Sequence, residues 1–143
     1  MNKKIHLEPV DPGNWRIGFQ LNDDQKHYVA DPSVILARAW AYRDYRSKAF
    51  VIYADETPVG MAMYYDIEDP EGYDFSQFFI DSRYQGNGYG KEAARQVLEL
   101  MKADGNFYVF MEGGPLFRAG SGEVLIAVLC GDKESDDSWV EIE

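Results

Sequence analysis

The sequence predicts a mixed α/β domain of the α+β type, on three observations. An aromatic-rich strand, Phe75 to Ile80, runs straight into a turn holding Gly86, Gly88 and Gly90. Behind that turn Ala94, Val97, Leu98 and Met101 recur at the spacing of one helical face, the pattern of a helix laid on a sheet. Upstream, AFVIYA (49–54) and VGMAMYY (59–65) are β-branched and aromatic runs separated by Asp55, Glu56, Thr57 and Pro58, as in an antiparallel hairpin.

The other elements follow in chain order. HLEP (6–9) with Val10 reads as a short first strand, and Asp11, Pro12, Gly13 and Asn14 as a turn and cap leading into a helix over 15–21. Asp31 as N-cap and Pro32 at the first helical position open a second helix, with Leu36, Ala39, Trp40 and Arg43 along one face. Residues 66–73, carrying Pro70 and Gly72, read as a polar loop. After the helix behind the glycine turn, Lys102 and Gly105 are stop signals, and 107–111 is a further strand. Gly113, Gly114, Pro115, Gly120 and Gly122 argue against a full helix beyond it. EVLIAVL (123–129) and SWVEI (138–142) then serve as a closing hairpin, joined by the acidic stretch 131–137.

Composition narrows the function classes. At 143 residues one domain, 1–143, is expected, and 45% apolar residues are enough for a buried core. No apolar run reaches spanning length and no signal pattern opens the chain, so a cytoplasmic protein off the membrane is expected. The single cysteine, Cys130, fits a reducing compartment, and His6 and His27 lack ligand company, so no metal is expected. Acids outnumber bases 25 to 14, a formal charge of −11. Such a surface is a poor partner for nucleic acid but raises the local concentration of a small cationic amine; simple solubility is the plainer reading of the same charge.

The glycine turn is where chemistry is written most plainly. Alternating glycines let the backbone bend and approach a ligand closely, and the following helix contributes its unpartnered amides and dipole, together an anion site. A nucleotide-triphosphatase loop would need Ser or Thr after Lys91, where Glu92 stands. A dinucleotide fingerprint needs a different glycine spacing. Glycines serving turn geometry alone are the remaining alternative. Arg83, Lys91 and Arg95 cluster here, and two of them are candidates to neutralise phosphates.

The run Arg83-x-x-Gly86-x-Gly88 resembles the pyrophosphate loop of the GNAT acetyltransferase superfamily. The order of elements from Leu7 to Met111 is similar to that fold as well. LEPV-x-x-x-NW, IYADETPVGMAMYYD and FFIDSRYQGNGYGKEAA most resemble its bacterial spermine/spermidine acetyltransferase branch. The resemblance implies a mostly antiparallel twisted sheet of about six to seven strands with about three helices. It covers 1–111, and 112–143 diverge. It further implies acetyl transfer from acetyl coenzyme A to a primary amine, first of all a polyamine, with another amine such as an antibiotic or peptide as the alternative acceptor. Phe79 and Ile80 would meet the pantetheine through their backbone. Arg83, Gln85, Gly86, Asn87, Gly88, Tyr89, Gly90 and Lys91 would hold the pyrophosphate. A homodimer is a common assembly in the superfamily.

The chemistry sets its own demands. An amine with a pKa near 10 must lose a proton before it attacks, which calls for a carboxylate or a water held by one. The oxyanion calls for a backbone N–H, expected from the strand at Phe79 and Ile80. Tyr64 and Asp74 are the catalytic candidates. Tyr64 and Tyr65 occupy adjacent strand positions, so one of the two faces the cleft. Asp66, Glu68, Asp69 and Glu71 crowd the neighbouring loop, and Asp23, Asp24 and Asp31 are further options for a distal ammonium. Polyamine acetylases often carry a carboxylate on the central strand, where this chain has Ser76 and Gln77. The family's usual thiolate acid is a tyrosine on a helix after the fifth strand, yet the last tyrosine here is Tyr108. A coenzyme-binding module without turnover is therefore a third reading.

Overall fold

The structure, a computed structural model, describes residues 3–27, 29–68, 71–104, 108–111, 116–118, 122–125 and 139–142. Six strands form one sheet in sequence order: β1 (Ile5–Pro9), β2 (Lys48–Ala54), β3 (Thr57–Glu68), β4 (Glu71–Ile80), β5 (Tyr108–Met111) and β6 (Leu116–Arg118). All neighbours are antiparallel except β4 and β5, which run parallel. A parallel pair needs a crossover, and α2 (Tyr89–Asp104) supplies it. Of the hairpin expected from 123–129 and 138–142, β7 (Gly122–Leu125) and β8 (Trp139–Ile142) pair antiparallel, in a second sheet of two strands and not in the main one. Residues 126–138, with the acidic stretch and Cys130, lie outside the described residues, as does Gly105.

Two helices pack on opposite faces of the sheet. α2 buries Ala93, Ala94, Val97, Leu98 and Met101 against Tyr64, Tyr73, Phe75, Phe78 and Ile80. The face read from its spacing is the face it buries. On the other side α1 (Pro32–Ala41) is capped by Asp31, whose carboxylate accepts the Ser33 amide at 2.9 Å, with Pro32 in the first turn. α1 sets Ile35, Leu36 and Ala39 against Met61, Met63 and Phe79. Trp40, placed on that face from the sequence, is instead 68% exposed and stacks under the Arg43 guanidinium at 4.2 Å. One step of 100° past Ala39 already points away from the sheet.

Three expectations are corrected. No helix forms over 15–21: residues 12–16 are turns and 17–22 are irregular, so the described residues hold two α-helices, not three. The segment is fixed by long-range bonds instead, Gln20 N–H to Asp81 and Ser82 N–H to the Gln20 carbonyl. Second, 66–68 and 71–73 are strand and not loop, with 69 and 70 outside the described residues. β3 and β4 continue through them with Asp66 opposite Tyr73 and Glu68 opposite Glu71, because Tyr73 finds a fully buried place under α2. Third, the β2–β3 turn is Asp55 and Glu56 alone, with Thr57 already paired to Ala54.

Gly60 shows why the centre of the sheet is tight. A Cβ there would lie 2.1 Å from the Phe79 carbonyl oxygen, a backbone atom that cannot step aside. Further along, Met63 pairs with Gln77 but Tyr64 pairs with Phe75. Ser76 is therefore the extra residue of a β-bulge in β4, which bends the strand and turns two consecutive side chains to one face.

Candidate active site

The turn after β4 is built outward from the strand end. Asp81 is fully buried and caps the short 3-10 turn Ser82–Tyr84. Its carboxylate accepts the Arg83 amide at 2.9 Å and the Gln20 amide at 2.9 Å. The Arg83 guanidinium closes a fork on both oxygens at 3.0 and 2.7 Å. Burial by itself would raise the Asp81 pKa; the Arg83 fork and the two amides outweigh it and hold the carboxyl below its ordinary value. Asn87 Nδ2 donates to the Tyr84 carbonyl at 2.9 Å, bracing the far side.

Held this way, Gly86 and Gly88 adopt φ of 83° and 78°, the left-handed region where side chains are disfavoured. A Cβ on Gly88 would meet nothing within 4 Å, so that side of the turn is open. One residue later α2 begins, and its 16 residues align a dipole whose positive end lies at this turn. A left-handed turn followed by a long helix makes a concave row of amides that suits a diphosphate. Gln85, Gly86, Asn87, Gly88, Tyr89, Gly90 and Lys91 are gathered on this one turn. Tyr89 contributes backbone alone, since its ring is buried in the core. Arg83 is a brace for Asp81.

The coenzyme arm of such a site needs a strand edge, and β4 has one. Its parallel pairing with β5 covers Tyr73, Phe75 and the residue between them, opposite Val109 to Met111. Asp81 N–H donates to the Val59 carbonyl at 2.7 Å, so by alternation Phe79 also turns its main chain to β3. Phe78 and Ile80 face the open edge. The Ile80 carbonyl accepts from Gln25 Nε2 at 2.5 Å and Gln85 Nε2 at 3.2 Å, which fills both lone pairs. Among the described residues the edge therefore offers the Ile80 N–H and both main-chain groups of Phe78. Phe79 packs its ring edge-on against Phe19 at 5.2 Å.

The bulge arranges a second set of polar groups on the α1 face of the same strand. Gln77 Oε1 accepts the Ala30 amide at 2.8 Å. Ser76 Oγ accepts from Arg38 of α1 at 3.1 Å. Tyr65 donates its hydroxyl to Asp74 at 2.8 Å and lies flat on Tyr42, with ring centroids 4.1 Å apart. Burial, then the Asp74 hydrogen bond and charge, push the Tyr65 phenol well above its ordinary range, so it stays a donor to the carboxylate. Tyr64 points the other way, into the α2 core between Phe50 and Tyr73, 2% exposed. Burial first and the Asp104 charge second push its pKa up to about 12.

Asp31 is occupied as a helix cap, accepting also from Ser33 Oγ at 2.6 Å, beside a cleft of 330 Å³ between α1 and the 15–19 segment. Sequence reasoning missed Gln25, Arg38 and Asp81. Asp81 left a legible trace, an acid directly after a strand and two residues before an arginine. Gln25 and Arg38 left none, because each acts on a residue about 40 or more positions away. Among the described residues no group of His, Cys, Asp or Glu could hold a metal ion, and no helix is long and apolar enough to cross a membrane.

A strand with a main-chain edge left over beyond its pairing to β5, ending in a glycine turn suited to a diphosphate, is an arrangement that fits a coenzyme A-dependent acyltransferase. The model of the acetyltransferase (GNAT) family matches residues 15–135, and the chain belongs to that family, whose members use acetyl coenzyme A. Similar solved structures include a putative GNAT acetyltransferase from Desulfovibrio desulfuricans, 15% identical with a TM-score of 0.53 over 76% of this chain and 72% of that one. A tyrosine-to-phenylalanine mutant of KacT is 14% identical, with a TM-score of 0.55 over 77% of this chain and 78% of its own. At such identities the likeness shows the fold. No curated protein matches the sequence.

Proposed function

We propose that the protein transfers the acetyl group of acetyl coenzyme A to the nitrogen of a primary amine bound on the α1 face of β4. The observation that carries this reading is the pairing of Asp74 with Tyr65 on that face, beside the bulge where the sheet opens. Bound acetyl coenzyme A supplies the thioester; the chain supplies position and proton transfer. The row from Gly86 to Lys91 holds the diphosphate, and the Ile80 and Phe78 edge groups hold the arm. Asp74 takes the proton that the ammonium must lose, while the Tyr65 hydroxyl fixes the orientation of the carboxylate. As the new N–C bond forms and the C–S bond breaks, the Phe78 N–H is aimed to hold the carbonyl oxygen, and the second proton of the attacking nitrogen passes through water to the departing thiolate.

A polyamine is the finer expectation, supported by the charge of −11 and by the motif resemblance. Ser76 and Gln77 at the position of the central-strand carboxylate count against it. Coenzyme binding without turnover is the second reading, favoured by Tyr108 being the last tyrosine in the chain. A thiol-release assay over a panel of amines, run beside calorimetry with coenzyme A, separates them. Release with at least one amine, and its loss in Asp74→Asn, supports acetyl transfer. Tight coenzyme binding with background release throughout supports the second reading.

A further inference from the structure

Arg38 differs from the five other arginines whose side chains are described. Arg46, Arg83 and Arg95 each lie on a carboxylate at 2.8 Å or less. Arg16 and Arg43 lie over tryptophan rings at the surface. Arg38 is half-buried between α1 and the sheet, and among the described residues its side chain makes one hydrogen bond, to the neutral Ser76 hydroxyl at 3.1 Å. A guanidinium taken partly out of water normally finds an anion, because desolvation of an unpaired charge is costly. In a chain with 25 acidic residues a carboxylate partner would have been easy to supply.

The position is informative. Ser76 is the bulged residue of β4, and Asp74 stands two residues earlier on the same face, about 6 to 7 Å along the strand. A planar fork of donors thus sits one strand step from the carboxylate proposed to receive the amine. We infer that the acceptor is a small amine that also carries an acidic group, a carboxylate or phosphate, which Arg38 grips while the ammonium meets Asp74. This rests on the acetyl-transfer reading for the amine half of the pocket; the anion half stands on Arg38 alone. A polycation has no group to place against this guanidinium.

Binding, read separately from turnover, tests it. The full chain saturated with coenzyme A is titrated by calorimetry with glycylglycine, glycylglycinamide, O-phosphoethanolamine and spermidine. The inference expects glycylglycine or O-phosphoethanolamine to bind about tenfold or more tightly than the amide and spermidine. Whichever acid binds identifies the anion as carboxylate or phosphate. Arg38→Met is expected to erase the preference, Arg38→Lys to keep part of it, and Ser76→Ala, which leaves the guanidinium in place, to preserve it. An amide that binds as well as its acid in the native chain overturns the inference whether or not the variants fold. So does a preference that survives Arg38→Met, or a panel in which no acid binds. Charge-selective binding without thiol release in the matching assay would sink acetyl transfer and leave the anion pocket standing.

Discussion

The two faces of β4 divide the work of this protein between them. Toward α2 the strand presents Tyr73, Phe75, Phe78 and Ile80, all buried among apolar side chains. Toward α1 it presents Asp74, Ser76 and Gln77, each hydrogen-bonded to a residue distant in sequence, and then Phe79. Strict alternation would have split the polar residues between the faces. The bulge at Ser76 gathers them on one, so a single ten-residue strand holds up the core and also carries a polar cluster. Stability and chemistry are thus separable by face, and each face can be broken without the other.

The largest effect belongs to the α2 face. Phe78→Ala should cost about 3 to 5 kcal/mol, since the ring is fully buried and the site cannot collapse around the lost volume. Urea unfolding reads it as a lowered midpoint with an unchanged slope. A loss below about 1 kcal/mol would show that the face is less committed to stability than its burial implies. Asp74→Asn is the opposite case. The amide still accepts from Tyr65, so stability should change by less than about 1 kcal/mol. Acetyl transfer should fall about 100-fold at saturating coenzyme. Equal losses of stability and activity would erase the distinction between the faces.

Two smaller effects sharpen the same contrast at its ends. Gly88→Val meets no steric neighbour but must hold a left-handed φ of 78°, at a cost of about 1 to 2 kcal/mol. Coenzyme A affinity should drop about tenfold by calorimetry, with the melting temperature falling by only about 3 to 8 °C. At the other end of the sheet Arg46 bridges Asp66 at 2.5 Å and Asp104 at 2.7 Å, and Asp104 accepts the Tyr73 hydroxyl. The Arg46 pairing, then the Tyr73 hydrogen bond, hold the Asp104 pKa down at about 2. A depressed folded pKa stabilises above the unfolded value near 3.9, and that stability is lost as pH falls toward 2. The network is largely exposed, so the loss should be under about 1 kcal/mol. Unfolding midpoints at pH 5 and pH 2.5 should differ less in Arg46→Met than in the native chain.

Much of the architecture was legible. The helical spacing of Ala94 to Met101 and the Asp31-Pro32 start both appear in the structure, and so does the strand-turn-helix unit around Gly88. These are local signals, set by backbone geometry within a few residues. The helix expected over 15–21 failed because capping signals there compete with long-range bonds to Asp81 and Ser82 that no local pattern reveals. Residues 66–73 misled for the same reason, since Tyr73 gains more by burial under α2 than the polar neighbours gain by staying solvated. Of the Tyr64 and Tyr65 pair, alternation showed that one would face the pocket. Which one depended on how β3 and β4 meet.

The sequence by itself determined that a phosphate-binding turn opens an amphipathic helix after a buried strand, because glycine conformation and helical periodicity are properties of adjacent residues. The tertiary structure alone decided that Tyr65 and Asp74 meet, that Gln25 closes the Ile80 carbonyl, and that Arg38 reaches Ser76. Those contacts join residues 9, 55 and 38 positions apart: the β3–β4 register sets the first, the packing of the 25–27 turn on the end of β4 the second, and the packing of α1 on the bulge the third.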